Sequence, residues 1–396
     1  MQRVIIQLRK KTGAVLRSIL CHRWSMITVV TCLLMTLPTK SIQARGNTFV
    51  FEHFTQENGL SNNQVQCIFQ DSKGYMWFGT SQGVSRFDGY RFTVFENIAG
   101  NTHSLKGNLV RSIFQSKSGI IYIGTENGGL NVFDSRKERF MHPLDEYAGI
   151  QIENASVNCI AEDQFERLWL GSDDGIIRYH PDGKITRVQP REAGPDKYFE
   201  GNYVRVMAFG RNGKLWLGTN NGVFVLDTAE NRVTPVILPL PPSRNEEIWE
   251  LTAEPDGKIW IGTYDNGVFV AAGDGQILHH IIPDRENERS YTVRAISRDK
   301  YGNYWMGTRG GVYVYKPEEG VNGTFTHDER EEKSLSGNSA LSIFHDAKGD
   351  TWIGTRLGIS YLVHSKQVFR SYRAMPDDRR YLNSKEIYAF WREPNG

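Results

Sequence analysis

An all-β fold, a seven-bladed β-propeller of four-stranded antiparallel blades, follows from three observations on the sequence: a sevenfold internal repeat, short alternating strands inside each repeat, and Gly or Asp/Asn turns between them. The segment Trp77-Phe78-Gly79-Thr80 recurs as Tyr122-Ile123-Gly124-Thr125, Trp169-Leu170-Gly171-Ser172, Trp216-Leu217-Gly218-Thr219, Trp260-Ile261-Gly262-Thr263, Trp305-Met306-Gly307-Thr308 and Trp352-Ile353-Gly354-Thr355. The glycines stand 44 to 47 residues apart, a period that marks a repeat architecture rather than a single mixed domain.

Each repeat reads in the same order. In the first copy an alternating run, Val65 to Phe69, leads into the turn Asp71-Ser72-Lys73-Gly74 and then the aromatic-x-Gly-Thr strand. A short glycine-closed turn, a third strand from Val84 to Phe87, the turn Asp88-Gly89 and a fourth strand from Arg91 to Phe95 complete it. Four short strands joined by tight turns make one antiparallel sheet. Such a sheet is apolar on both faces and cannot bury them alone, whereas seven packed radially can.

The repeated side chains have structural readings. The aromatics Trp77, Tyr122, Trp169, Trp216, Trp260, Trp305 and Trp352 supply flat area to fill the wedge between blades. The glycine two residues later permits close backbone approach, and the Thr or Ser hydroxyl can bond within its own turn. A stacked carbohydrate platform is the alternative for the tryptophans. At the ends, Phe49 to Phe54 reads as a fourth strand without its repeat, expected to fill the outer edge of the seventh blade, displacing or extending the local fourth strand Val368 to Tyr372. Glu386 to Trp391, followed by Glu393-Pro394-Asn395-Gly396, reads as the first strand and turn of an eighth repeat.

Three segments are therefore expected: residues 1–44 as a signal peptide or N-terminal anchor, 45–375 as the propeller, and 376–396 as a linker and the first strand of a truncated next repeat. Arg3, Arg9, Lys10, Lys11, Arg17 and Arg23 precede an apolar run from Met26 to Leu37. That run suits a signal-peptide core better than a membrane span, and Ile42-Gln43-Ala44 offers a cleavage site. The chain is expected to be exported and periplasmic. With 396 residues, 39% of them hydrophobic, and a net charge of +2, composition supports a large core and does not suggest a nucleic-acid partner. Cys67 and Cys159 sit at one position of two non-adjacent repeats, so they are expected as buried small side chains rather than a disulfide. No Cys/His spacing suggests a metal, and no cofactor is expected.

The repeats resemble the two-component regulator propeller repeats of the periplasmic sensor regions of Bacteroides-type hybrid two-component systems. The Asp-x-x-Gly turn, Trp-x-Gly-Thr strand and following Gly-Val, aromatic and Asp are matched by Asp71, Gly74, Trp77, Gly79, Thr80, Gly83, Val84, Phe87 and Asp88. The sixth copy matches with Asp299, Gly302, Trp305, Gly307, Thr308, Gly311, Val312 and Tyr315. The resemblance implies a ligand-sensing module for glycan-derived oligosaccharides, as a homodimer or docked to downstream sensor domains. The kinase and DNA-binding segments of that family have no counterpart in these residues, so the chain is expected to be a fragment or truncated product of such a sensor and not an enzyme. A propeller lyase or glycoside-processing enzyme, or a purely structural interaction propeller, are the alternatives.

Topology narrows the candidate site. The turn from the second to the third strand opens on the same face as the long connections between blades, such as Glu96 to Asn108 and Asp328 to Asn338, and long loops on a rigid scaffold favour binding. On that face the second residue of each innermost strand should approach the central channel: Arg111, Arg205, Trp249 and Arg294 in repeats two, four, five and six. The arginines could hold carboxylates, phosphates or hydroxyls, and Trp249 could stack on a sugar; the alternative is arginines paired with loop acids or solvated. The turns add Asp173, Asp174, Tyr264, Asp265, Arg309 and Arg356 to the rim. No matched acid/base cluster is visible: His280, His345 and His364 fall at different repeat positions.

Overall fold

The alternating runs of the repeat pair as expected, each copy forming its own antiparallel sheet. In the computed structural model, which describes residues 50–145, 156–192, 199, 202–241 and 244–364, blade 1 consists of Val65–Gln70, Met76–Thr80, Val84–Phe87 and Phe92–Phe95, hydrogen-bonded in that order. Six further sheets follow the same plan, with innermost strands Val110–Gln115, Val157–Glu162, Val204–Phe209, Ile248–Ala253, Val293–Arg298 and Ala340–His345. Blade 4 carries an added parallel outer strand, Arg191–Glu192. No helix among the described residues is long and apolar enough to cross a membrane.

The ring closes with the first strand. Phe51–Phe54 pairs antiparallel with Ile359–Leu362, Phe51 opposite Leu362 and Phe54 opposite Ile359, and so occupies the fourth-strand position of blade 7. Alternation then divides its two aromatics: Phe51 joins the apolar cluster between blades 6 and 7, while Phe54 packs against Trp352 and the blade 1 residues Phe87 and Phe92. The expected local strand Val368 to Tyr372, the eighth-repeat segment and the N-terminal apolar run lie outside the described residues.

Seven apolar clusters occupy the seven spaces between blades, and the repeat aromatic of each blade packs into the cluster shared with the next. This is the wedge role read from the sequence. The glycine beside it is required by proximity: a Cβ on Gly79 would lie 2.4 Å from Cys67 Sγ and 2.6 Å from Val110 Cγ1 of blade 2. The hydroxyls also behave as expected, Thr80 Oγ1 donating to Gly83 O at 2.9 Å and Thr355 Oγ1 to Gly358 O at 3.0 Å.

One element of the repeat has a second role. The turn aspartates do more than shape the turn: Trp77 Nε1 donates to Asp71 Oδ2 at 2.8 Å, and Trp169, Trp305 and Trp352 donate in the same way to Asp163, Asp299 and Asp346. Each such carboxylate satisfies an indole N–H that the interblade core would otherwise strand.

Candidate functional site

A single backbone irregularity, repeated seven times, builds the site. In every innermost strand the pairing register slips at the second residue, as between Val110 and Ser112 or Ile248 and Glu250. A β-bulge leaves that residue unpaired and re-aims its side chain. The seven bulged residues, Gln66, Arg111, Asn158, Arg205, Trp249, Arg294 and Leu341, all line one central cavity of about 320 Å³. The cavity lies toward the long-loop face, because Ser81, Glu126, Asn220 and Tyr264 of the second-to-third-strand turns donate to the carbonyls of Gln64, Leu109, Tyr203 and Glu247 just before the inner strands.

The structure thus gathers the four residues that sequence position singles out, Arg111, Arg205, Trp249 and Arg294, around one cavity. Arg111 pairs with Glu126 and Arg205 with Glu247. Arg205 Cζ lies 4.0 Å from the centre of the Trp249 ring and Arg294 Cζ lies 4.2 Å from it. Since these arginines come from the two blades flanking Trp249, the indole is clamped between two guanidinium groups, an arrangement stabilised by cation–π attraction. A sugar stacked on Trp249 would compete with these guanidinium groups for the ring. The Nε atoms of all three arginines and Nε1 of Trp249 are buried without hydrogen-bond partners.

The six turn residues stand outside the cavity lining. Tyr264 is half-buried and stacks beside Trp249, ring centres 6.0 Å apart. Asp173 accepts from Asn158 Nδ2 at 3.1 Å, Asp265 accepts from Asn266 Nδ2 at 2.5 Å, and Asp174 is 3.6 Å from Arg187. Arg309 and Arg356 are exposed.

Sequence reasoning missed several lining residues. Gln66, Asn158 and Leu341 occupy the same repeat position as the arginines and were open to the same reading. Tyr203 donates to Asn158 Oδ1 at 3.0 Å. Glu250 stands where the flanking blades carry Val206 and Ala295, and burial in the channel wall pushes its carboxyl up to about 8, outweighing the hydrogen bonds from Thr252 and the Leu251 backbone. Cys159 is buried as expected, Cys67 is half-buried, and both are free thiols lining the cavity, with burial pushing Cys67 up to about 12. Away from the channel, Thr351 Oγ1 joins His345 Nδ1 at 3.0 Å to His364 Nε2 at 2.9 Å, a pairing that their different repeat positions conceal. Among the described residues no group of three or more His, Cys, Asp or Glu could hold a metal ion.

The two component regulator propeller family model matches residues 59–82, 198–221 and 287–310, in blades 1, 4 and 6. Histidine kinase P4 of Formosa agariphila is 38% identical over 71 residues, 18% of this chain and 5% of that protein. The extracellular domains of a one-component system and of a hybrid two-component system, both from B. thetaiotaomicron, superpose with TM-scores of 0.65 at 24% identity. They are matched over 79% of this chain, which spans only 40% and 42% of their lengths. The chain is a seven-bladed β-propeller resembling the periplasmic sensor domains of such regulators. Those matching domains are extracellular, in agreement with the exported placement expected from the N-terminal segment.

The same fold carries catalysis elsewhere. Streptogramin B lyase superposes with a TM-score of 0.62 at 18% identity, and virginiamycin B lyase from Staphylococcus aureus with 0.60 at 16%. Each match covers 80% of this chain and 97% or 99% of the lyase. The expectation that the chain is not an enzyme is corrected accordingly: it rested on missing kinase segments, and a lone propeller of this size is itself a frame on which enzymes are built.

Proposed function

We propose that the chain is an exported ligand-sensing propeller module of a hybrid two-component regulator and recognises a glycan-derived oligosaccharide at the long-loop mouth of its central channel. The observation that carries this reading is the cavity itself: seven bulges direct side chains from all seven blades into one space, and four buried nitrogens there lack partners. Polar groups converging in a largely preformed pocket are the usual makings of a ligand site. In this reading Arg111, Arg205 and Arg294 contact ligand, Trp249 holds two of them in place, and Asp173, Asp174, Tyr264, Asp265, Arg309 and Arg356 form the rim. Residues 1–44 direct export or anchor the chain, 45–375 form the propeller, and 376–396 lead into a next repeat. Downstream sensor domains, or a second copy of the chain, receive the signal. The test is a thermal-shift screen of the purified exported chain against oligosaccharides from plant and host glycans. A saturable rise in melting temperature that Arg294→Met abolishes supports the site. A rise unaffected by that change, or none in a folded sample, rejects it.

A second, catalytic reading is favoured by Glu250, a carboxyl that keeps its proton near neutral pH inside the cavity, as a general acid must. Product analysis of the same mixtures separates the two: turnover lost in Glu250→Gln supports catalysis, and intact saccharide after prolonged incubation rejects it.

A further inference from the structure

The ring of bulged residues is charged unevenly. Arg111 and Arg205 each have an acid beside them, Glu126 and Glu247. Arg294 has neither an ion pair nor a hydrogen bond with a described residue, and its Nε is buried. Its guanidinium carbon is held 4.2 Å from the centre of the Trp249 ring, and a guanidinium laid on an aromatic keeps its in-plane N–H groups available for a fork-shaped contact. Beside it, on the second-to-third-strand turns of blades 6 and 7, stand Arg309 and Arg356, both exposed and both without an acid partner among the described residues.

The cost of this grouping is visible in Arg294. Desolvation first, and then the like charges of Arg356, Arg309 and Arg205, push its guanidinium down to about 10. This partly buried cation stands among three of its own sign with no ionic partner among the described residues, and a desolvated charge without a partner is unfavourable. The three rim aspartates are engaged elsewhere: Asp173 with Asn158, Asp174 near Arg187 and Asp265 with Asn266. Glu250 keeps its proton near neutral pH and adds no negative charge.

Resting on the ligand-binding reading above, we propose that the ligand carries an anionic group, a carboxylate or sulfate, seated at Arg294 and flanked by Arg309 and Arg356. Planar or tetrahedral oxyanions accept paired N–H donors from arginine, and the anion supplies the compensation that the fold withholds. Neutral saccharides would leave Arg294 as desolvated as before.

The experiment is titration calorimetry of the full chain with oligosaccharides from plant, algal and host polysaccharides, separated into neutral, carboxylated and sulfated pools. Saturable binding is expected only in the acidic pools, and which of them binds identifies the oxyanion. Arg294→Met should weaken it more than tenfold. The exposed pair Arg309→Met and Arg356→Met, which leaves the core intact, should weaken it several-fold, and raising the salt concentration should do the same. Binding in the neutral pool that is lost in the channel-blocking Gln66→Trp would overturn the anionic ligand and leave the channel site standing. Binding to any pool that survives Gln66→Trp overturns both, as does a folded chain that binds none.

Discussion

Phe54 of the first strand stacks on Trp352 of the last blade, ring centres 5.9 Å apart and planes 19° from parallel. Three residues earlier Phe51, only 2% exposed, meets Phe325 of blade 6 edge-on at 5.5 Å. The strand that closes the ring therefore ties blade 7 to both neighbours. Phe51→Ala should cost about 3–5 kcal/mol, as for a buried phenylalanine in a core. Val94→Ala, on the exposed outer strand of blade 1, should cost under about 1 kcal/mol. Urea unfolding of both variants checks this; equal losses would mean that the ring does not depend on this closure.

The aspartate beneath each indole gives a paired prediction. Asp71 accepts from Trp77 Nε1 and also from the backbone N–H groups of Lys73 and Tyr75. Asp71→Ala should destabilise by about 2–3 kcal/mol, since a buried N–H loses a charged acceptor. Blade 4 has Gly210 at that position, and there Trp216 Nε1 is buried without a partner. A Cβ on Gly210 would sit 3.0 Å from Asn212 Oδ1 and 3.1 Å from Trp216 Nε1, and Gly210 does not have a positive φ. Gly210→Asp is therefore expected to stabilise by about 1 kcal/mol, read as a raised melting temperature; a fall would show that the neighbouring side chain cannot yield.

The blade count, the strand order and the closing strand were all legible because they are written as period: six Gly-Thr pairs, one Gly-Ser pair and one strand too many at the front. Which residues meet in the central cavity was legible for the same reason, since the second residue of the inner strand is a repeat position. What that residue does was not. The bulge that frees Arg294 is a register slip with no residue signature, as Gln66, Trp249 and Leu341 occupy it equally. Pairing depends on loops in other blades: Arg205 meets Glu247, 42 residues away, while Arg294 meets no acid among the described residues. The clamp on Trp249 arises only when three neighbouring blades are placed in a ring.

Interblade spacing should be readable from glycine substitutions. Gly79 and Gly307 hold the same repeat position, yet a Cβ on Gly79 would lie 2.4 Å from Cys67 Sγ, whereas on Gly307 the nearest atom is Ile343 Cδ1 at 3.2 Å. The difference comes from Ala295 and Ala340, which stand where blades 1 and 2 carry Cys67 and Val110. Gly79→Ala should cost about 3 kcal/mol or abolish soluble expression, and Gly307→Ala about 1 kcal/mol. Similar melting temperatures for the two variants would contradict a spacing set by these side chains.

Two half-buried groups give the protein opposed responses to pH. Burial lifts Glu250 to about 8, so between its unfolded value near 4.5 and 8 the unfolded chain has released a proton that the folded chain keeps, and stability falls as pH rises. Burial, aided by the nearby charge of His364 and opposed by Asp299, lowers His345 to about 4. Between 4 and 6.5 the unfolded chain therefore binds a proton that the folded chain refuses, and stability falls as pH drops. The effects oppose one another below pH 6.5, while above it Glu250 acts alone. Wild-type stability should decline by about 1–2 kcal/mol from pH 6.5 to 8, at about 1.4 kcal/mol per unit before screening by channel water. Glu250→Gln should flatten that decline, because the amide cannot ionise, and His345→Gln should reduce the acid-side loss, which His53, His142 and His364, also lowered by burial, share, while leaving the decline above pH 6.5 in place. Urea unfolding at half-unit pH steps resolves both arms, and a decline above pH 6.5 that persists in Glu250→Gln would assign it to a group other than this carboxyl.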